Sequence, residues 1–226
     1  MNNKSRTLIN VIGLPLIVST ILIGDFLFVL FISLIILLGT KEYVDLLKKH
    51  SIDLSSILLY IFQVFLILIS MFYIVFSIET SNATFVELEK NLGLLKIGIV
   101  VLTFILPVFL VFILMIIEIF KKSSTPLLNI SCTVFGFIWI GVFINSLVYT
   151  RSIAGPILTL VIFLSLWICD TFAFFFGKNF GKTKIMPDVS PNKTVLGSSF
   201  GLFGSILFLL ILSYFKVIEL NLLESF

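Results

Sequence analysis

Apolar residues run along the chain in long blocks separated by short polar segments, and block length is the first informative quantity. The hydrocarbon core of a bilayer takes about twenty predominantly apolar residues of helix. Seven stretches approach that length, at roughly 7–23, 26–40, 56–78, 94–117, 130–150, 156–177 and 198–215. Only Gly24 and Asp25 separate the first two, so they predict either a tight helical hairpin or one long bent element. Lys4 and Arg6 before the first run suit a signal-peptide n-region, but no Ala-x-Ala-like site follows and a second apolar run begins at once. The 41–55 and 79–93 connections, mixed in charge and carrying caps such as Asp53 and Ser55, read as short interfacial linkers. The pattern predicts an all-α, polytopic integral membrane protein with about seven transmembrane helices. Residues 1–226 form one transmembrane domain in this reading, and 170–197 is an inner-side polar motif and loop of catalytic type.

Composition removes the soluble alternative. Hydrophobic residues make up 59% of the 226 and charged residues 12%, about half of what a water-facing surface needs. Mean hydropathy is +1.23. Net charge is only +3 and scattered, which excludes a nucleic-acid footprint. Cys132 and Cys169 both lie in apolar runs and read as small hydrophobes, and the single histidine, His50, leaves no material for a histidine metal site.

Charge placement orients the spans. With seven crossings and an inner N-terminus, eleven of the fifteen Lys and Arg residues fall inside and four (Lys90, Lys96, Arg151 and Lys216) fall outside. That split obeys the positive-inside rule. It predicts a multi-pass protein of the cell (inner) membrane with the N-terminus and the 178–197 loop inside.

The segment from Ile168 to Gly197 reads ICDTFAFFFGKNFGKTKIMPDVSPNKTVLG, and it carries the chemistry. If the sixth helix starts at Pro156, a residue suited to a first turn, Asp170 lies roughly 21 Å along its axis. A carboxylate about two turns inside the membrane implies a cavity, a counter-ion or a metal. Asp170, Ala173 and Gly177 fall at i, i+3 and i+7, a stripe of small side chains beneath a charge, which favours the cavity. Phe172, Phe175 and Phe176 are left to face lipid or neighbouring helices. Beyond the helix come Lys178, Lys182, Lys184 and Lys193, the glycines 177, 181 and 197, the hydroxyls of Thr183, Ser190 and Thr194, and Pro187 and Pro191. Lysines supply point charge, glycines permit close backbone approach and prolines stiffen the loop. Together they suit a polyphosphate beside a metal-bearing carboxylate. The Gly-Lys-Thr at 181–183 is not a P-loop, because the position five before Gly181 is Phe176 and no strand precedes it. A plain anchor loop, whose lysines hold only head groups, is the competing reading.

The string Asp170-Thr171, Ala173, Gly177, Phe180-Gly181-Lys182, Lys184, Pro187, Ser190-Pro191, Lys193-Thr194 and Gly197 resembles the phosphatidate cytidylyltransferase (CDP-diacylglycerol synthase) family. The likeness is strong over 170–197 and loose elsewhere, where it rests on the Lys4/Arg6 start, the early hairpin and Glu42. Phe172 and Phe174 stand where that family tends to have a glycine and a tyrosine, and Leu196 where it has an acidic or amide residue. The family's C-terminal signature, a Lys-Asp pair followed by Pro-Gly-His-Gly-Gly and Asp-Arg-x-Asp, is not met before Phe226. The resemblance implies a nucleotidyltransferase that moves a cytidylyl group from CTP to phosphatidic acid, giving CDP-diacylglycerol and pyrophosphate in phospholipid biosynthesis. It implies Asp170, Lys182 and Lys184 as catalytic residues, with Asp170 holding Mg²⁺. It implies Lys178, Ser190, Lys193, Thr194, Gly177 and Gly181 as substrate-binding. Without the C-terminal signature, the expectation for these 226 residues is weak CTP binding and slow or absent turnover. A truncated non-catalytic relative and a transporter component are the alternatives.

Elsewhere the polar residues read as structural. Glu118, Lys121 and Lys122 set topology, and Trp139 and Trp167 pack in mid-span. Asn145 either bonds a neighbouring helix or lines the cavity. Asn82-Ala83-Thr84 matches a glycosylation acceptor by chance spacing. Gly197-x-x-x-Gly201 and Gly201-x-x-x-Ser205 predict close packing of the last helix, with a homodimer seam as one use.

Overall fold

A computed structural model describes residues 3–81, 86–187 and 190–217, with side chains described for 13–77, 93–187 and 190–217. Asp188 and the Asn82-Ala83-Thr84 acceptor lie outside the described residues. The chain is almost entirely helical: α1 Asn3–Ile23, α2 Asp25–Lys49, α3 Ser56–Ser81, α4 Val86–Lys121, α5 Pro126–Gly136, a π-helical turn Phe137–Val142 and α6 Phe143–Phe180. A two-stranded antiparallel hairpin follows, β1 Lys184–Met186 and β2 Ser190–Thr194, and then α7 Val195–Tyr214. Among the described residues five stretches are long and apolar enough to cross a membrane: Asp25–Lys49, Ser56–Ser77, Gly93–Lys121, Pro126–Phe180 and Val195–Tyr214. Gly13–Ile23 is a shorter apolar helix. This is a polytopic membrane architecture.

Helices outlast the apolar runs that announce them. The second reaches Lys49 rather than stopping near residue 40, so most of the expected 41–55 linker is helix. Hydropathy ends at Lys41 and Glu42, but Lys, Glu, Asp and Leu are all tolerated in a helix, and nothing there breaks it. Similarly α4 starts at Val86, inside the expected 79–93 linker. Gly24, in extended conformation, separates α1 from α2.

The chain forms two compact units, Met1–Pro156 and Ile157–Phe226. The first has a core of Phe28, Ile32, Ile36, Leu59, Leu66, Ile74, Leu110, Leu114 and Phe137. Its buried polar groups mostly find one another. Arg151 Nε donates to the Ile21 carbonyl at 2.8 Å, and its Nη1 pairs with Asp25. The Ser70 hydroxyl donates to Asn145 Oδ1 at 2.7 Å, which settles Asn145 as a helix-to-helix bond. Asn129 Nδ2 donates to the buried Glu118 carboxylate at 3.3 Å. Lys121 pairs with Asp53 at 2.6 Å. Trp139 is more exposed than a packing role requires: it lies between Phe135 and Phe143 on an outward face.

Inside α6 the helix breaks at Gly155, whose φ of 80° and ψ of 174° belong to a backbone region that only glycine enters easily. Pro156 follows the break, where its fixed φ and missing N–H suit a first turn.

Candidate active site

The site is built in the second unit from the last three turns of α6, the hairpin and the start of α7. Helix α6 and helix α7 approach through small residues. A Cβ added at Gly197 would lie 2.7 Å from the Ala173 carbonyl oxygen, and one at Gly201 would lie 2.8 Å from that of Cys169. Both are backbone collisions, so glycine is what permits the crossing. Phe172 packs over Gly204, and Phe176 stacks on Phe200 with centroids 4.2 Å apart. The small-residue face of α7 is therefore filled by the chain's own α6. Phe172 and Phe176 take the packing role expected of them.

The hairpin starts where α6 ends. Gly181 N–H donates back to the Gly177 carbonyl at 3.1 Å, closing the helix. Lys184 then pairs with Thr194 and Met186 with Ser190, and Val195 N–H donates to the Thr183 carbonyl at 3.0 Å. Hydropathy alone leaves this stretch a loop, because three- and five-residue strands rich in Lys, Pro and Asn carry no alternation of apolar residues. The pairing is irregular: four steps along β2 answer two along β1, so β2 bulges and strict alternation of its side chains is lost. Thr194 ends β2 and caps α7: its buried hydroxyl accepts the Gly197 N–H at 3.1 Å. That bond satisfies one of the orphan donors of the helix N-terminus.

These elements enclose a cleft of about 810 Å³. From α6 it is lined by Cys169, Asp170, Ala173, Phe174, Gly177 and Lys178. Gly181, Lys184, Ser190, Asn192, Lys193 and Thr194 follow along the hairpin, and Gly197 and Ser198 come from α7. The i, i+3, i+7 stripe of Asp170, Ala173 and Gly177 thus faces a cavity. Of the nine residues expected at the site, the cleft gathers Asp170, Gly177, Lys178, Gly181, Lys184, Ser190, Lys193 and Thr194. Lys182 is left out: it is exposed on the stretch between α6 and β1, outside the lining. Phe174, Asn192 and Ser198 join the lining without having been expected, as does Cys169, which was expected only as a small hydrophobe. Asn192 and Lys193 are neighbours in β2 and both line the cleft, which no alternation of side chains would have signalled.

Asp170 is exposed to the cleft and has no hydrogen-bond or ion-pair partner among the described residues. Of the three explanations for that carboxylate, the structure supplies the cavity and, among the described residues, no counter-ion. Lys178, Lys184 and Lys193 are likewise exposed around it, and Lys178 Nζ stands 5.6 Å from the centroid of the Phe174 ring. Three cations and one carboxylate thus line a single cleft with no ion pair to any of them among the described residues. The described residues contain no group of three or more His, Cys, Asp or Glu side chains, so no all-protein metal cage is present. Mg²⁺ does not need one, since it is commonly held by one or two carboxylates plus substrate phosphates and water. Asp170 and an anionic substrate fit that mode.

Known proteins give the same direction. A family model described as the cytidylyltransferase family matches residues 4–225. The phosphatidate cytidylyltransferase of Staphylococcus epidermidis is 28% identical over 218 residues, 96% of this chain and 75% of that protein. That of Staphylococcus aureus is 27% identical over the same shares of both chains. That of Aquifex aeolicus is 47% identical over 73 residues, 32% of this chain and 28% of that protein. No solved structure matches the chain.

Proposed function

The chain belongs to the cytidylyltransferase family, and from that premise we propose that it transfers a cytidylyl group from CTP to phosphatidic acid. The observation that carries this reading is the cleft in which Asp170 and three lysines stand unpaired. In the reaction an oxygen of the lipid phosphate attacks the α-phosphorus of CTP. The bond from that phosphorus to the bridging oxygen breaks, and pyrophosphate leaves with the electron pair. Little covalent chemistry falls to the protein, so alignment and charge compensation dominate.

Lys184 and Lys193 reach the nucleotide phosphates from the two hairpin strands and compensate charge that builds on the leaving oxygens. Lys178 does so from the last turn of α6. Ser190 offers a hydroxyl to phosphate oxygens. Thr194, committed to the α7 cap, fixes the wall that presents them, and Gly177 and Gly181 let that wall approach α6. Lys182, outside the lining, contributes field rather than contact. Asp170 would hold Mg²⁺, which when bound neutralises phosphate charge and orients the reacting oxygens. A cleft in a membrane-embedded unit lets a water-soluble nucleotide meet a phosphate whose acyl chains stay in lipid.

We further infer seven crossings, with the N-terminus and residues 178–197 on the inner side of the cell membrane. The break at Gly155 supports the count, because it divides the long apolar stretch Pro126–Phe180 into two limbs. Each limb exceeds the roughly 20 residues a bilayer requires. With Cys132 and Cys169 removed, Met186→Cys should label from the inner side and Val86→Cys from the other. Labelling of both from one side would refute the arrangement.

For the activity, CTP binding with and without Mg²⁺ is measured beside labelled lipid product formed from CTP and phosphatidic acid with protein in excess. The expected result is a Mg²⁺-dependent gain in CTP affinity and labelled CDP-diacylglycerol, both lost in Asp170→Asn. A parent chain that binds no CTP, or an Asp170→Asn variant indistinguishable from it, overturns the reading.

A further inference from the structure

Helix α6 carries four phenylalanines between Asp170 and Gly177, and their surroundings differ. Phe172 is spent on Gly204, Phe176 on Phe200, and Phe175 meets Phe176 edge-on at 5.4 Å. Phe174 has no ring partner among the described residues, is 69% exposed, and is the one aromatic side chain in the lining of the polar cleft. A free aromatic face beside three lysines and a carboxylate is a poor arrangement for an ion alone. It suits a ligand that joins a polyphosphate to a planar ring.

Helical spacing fixes its position relative to the charges. Asp170, Phe174 and Lys178 succeed one another at i, i+4 and i+8, so the ring lies one turn from the carboxylate and one turn from the lysine. At about 1.5 Å per residue each step is roughly 6 Å, of the order of the separation between a nucleotide's base and its α-phosphate through the sugar. Lys178 stands over the ring at 5.6 Å, and a cation can cover only one of two faces.

Resting on the functional reading above, we propose that Phe174 is the stacking platform for the nucleobase of CTP. The ring binds the cytosine face while Lys184 and Lys193 hold the phosphates, so base and phosphates are recognised by separable parts of one cleft. Stacking of a base on an aromatic side chain is worth enough that alanine substitution typically costs several-fold to about 100-fold in affinity.

The test compares CTP with inorganic tripolyphosphate, which carries the charge without the base. Both are titrated against the full chain in detergent with Mg²⁺. Phe174→Ala and Phe174→Leu should weaken CTP by about tenfold or more while changing tripolyphosphate affinity less than about twofold. Phe174→Trp should keep or strengthen CTP binding. Because the ring is exposed, thermal unfolding of the variants should match the parent, and Leu preserves apolar bulk if Ala disturbs the helix. Equal losses for both ligands, or undiminished CTP affinity in both variants, would each overturn the platform. A parent that binds tripolyphosphate as tightly as CTP overturns it too and leaves the phosphate clamp standing. A parent that binds neither brings down the functional reading itself.

Discussion

Arg151 and Asp170 are both charged residues within apolar helical sequence, one in each unit, and their environments are opposite. Arg151 is buried, with its guanidinium on the Ile21 carbonyl and the Asp25 carboxylate. Asp170 opens into a cleft with no protein partner among the described residues. Glu118 and Lys121 in the first unit each have a bonded partner, whereas Lys184 and Lys193 in the second are exposed around an unfilled volume. An ionised group in an apolar setting must be compensated. Where the protein supplies the compensation, the charge serves the fold. Where it does not, the charge is open to a ligand, the role proposed for Asp170.

If that distinction holds, substitutions in the two units should separate stability from activity. The largest stability effect is expected from Arg151→Met, which leaves Asp25 and the Ile21 carbonyl without their donor. A loss of about 3 kcal/mol in unfolding free energy is expected, the low end for breaking a buried pair, because the Asp25 side chain keeps 31% exposure. Reversible unfolding in detergent measures it. Asp170→Asn should do the reverse, losing the Mg²⁺-dependent gain in CTP affinity and whatever labelled lipid the parent forms with protein in excess. Its unfolding should stay within about 0.5 kcal/mol of the parent. A destabilised Asp170→Asn would place Asp170 with Arg151 and erase the contrast.

Smaller effects sharpen the comparison. Gly197→Ala should destabilise by about 1–3 kcal/mol, since its Cβ meets backbone that has to move. Gly204→Ala meets the Phe172 side chain at Cδ1, Cγ and Cβ but no backbone, so the same unfolding assay should register a smaller loss. Lys184→Gln should weaken CTP by about 1–3 kcal/mol, the scale of a charge-assisted hydrogen bond, with no change in unfolding. The smallest effect is expected for Lys121→Gln: its exposed pair with Asp53 is worth about 0–1 kcal/mol of stability, and CTP binding should not respond. Equal CTP losses at Lys184 and Lys121 would favour a diffuse basic surface over a clamp.

What the sequence made legible follows from what physical signals travel along one strand of text. Apolar block length located every helix, because crossing a bilayer imposes a minimum run on each. Asp170 with Ala173 and Gly177 stood out because the helical period is local, and those three positions do line the cleft. Helix ends were misplaced wherever hydropathy and helix propensity part company, as at Lys41–Lys49, which is charged and still helical. The hairpin was hidden because its strands are held by backbone pairing, and the only apolar side chains in it, Ile185 and Met186, lie in the shorter strand. Arg151 was counted as an exposed topology charge. Its partner Asp25 is 126 positions away, a separation no local pattern can bridge. The choice of Lys184 over Lys182 for the cleft depends on strand register, which is fixed by the pairing with Thr194.

Thr194 imposes a rule on how this protein can change over generations. The residue closes the ladder opposite Lys184 and, through the same side chain, starts α7. An added or deleted residue between Ser190 and Thr194 would shift the pairing with Lys184, and one between Thr194 and Gly197 would withdraw the oxygen that the Gly197 N–H requires. The connection between Met186 and Ser190 joins the other end of the ladder and is under neither demand. Length variation among descendants of this chain is therefore expected to accumulate in that connection and to be purged from Lys193-Thr194-Val195. An epitope or fluorophore meant to leave the cleft undisturbed belongs there as well.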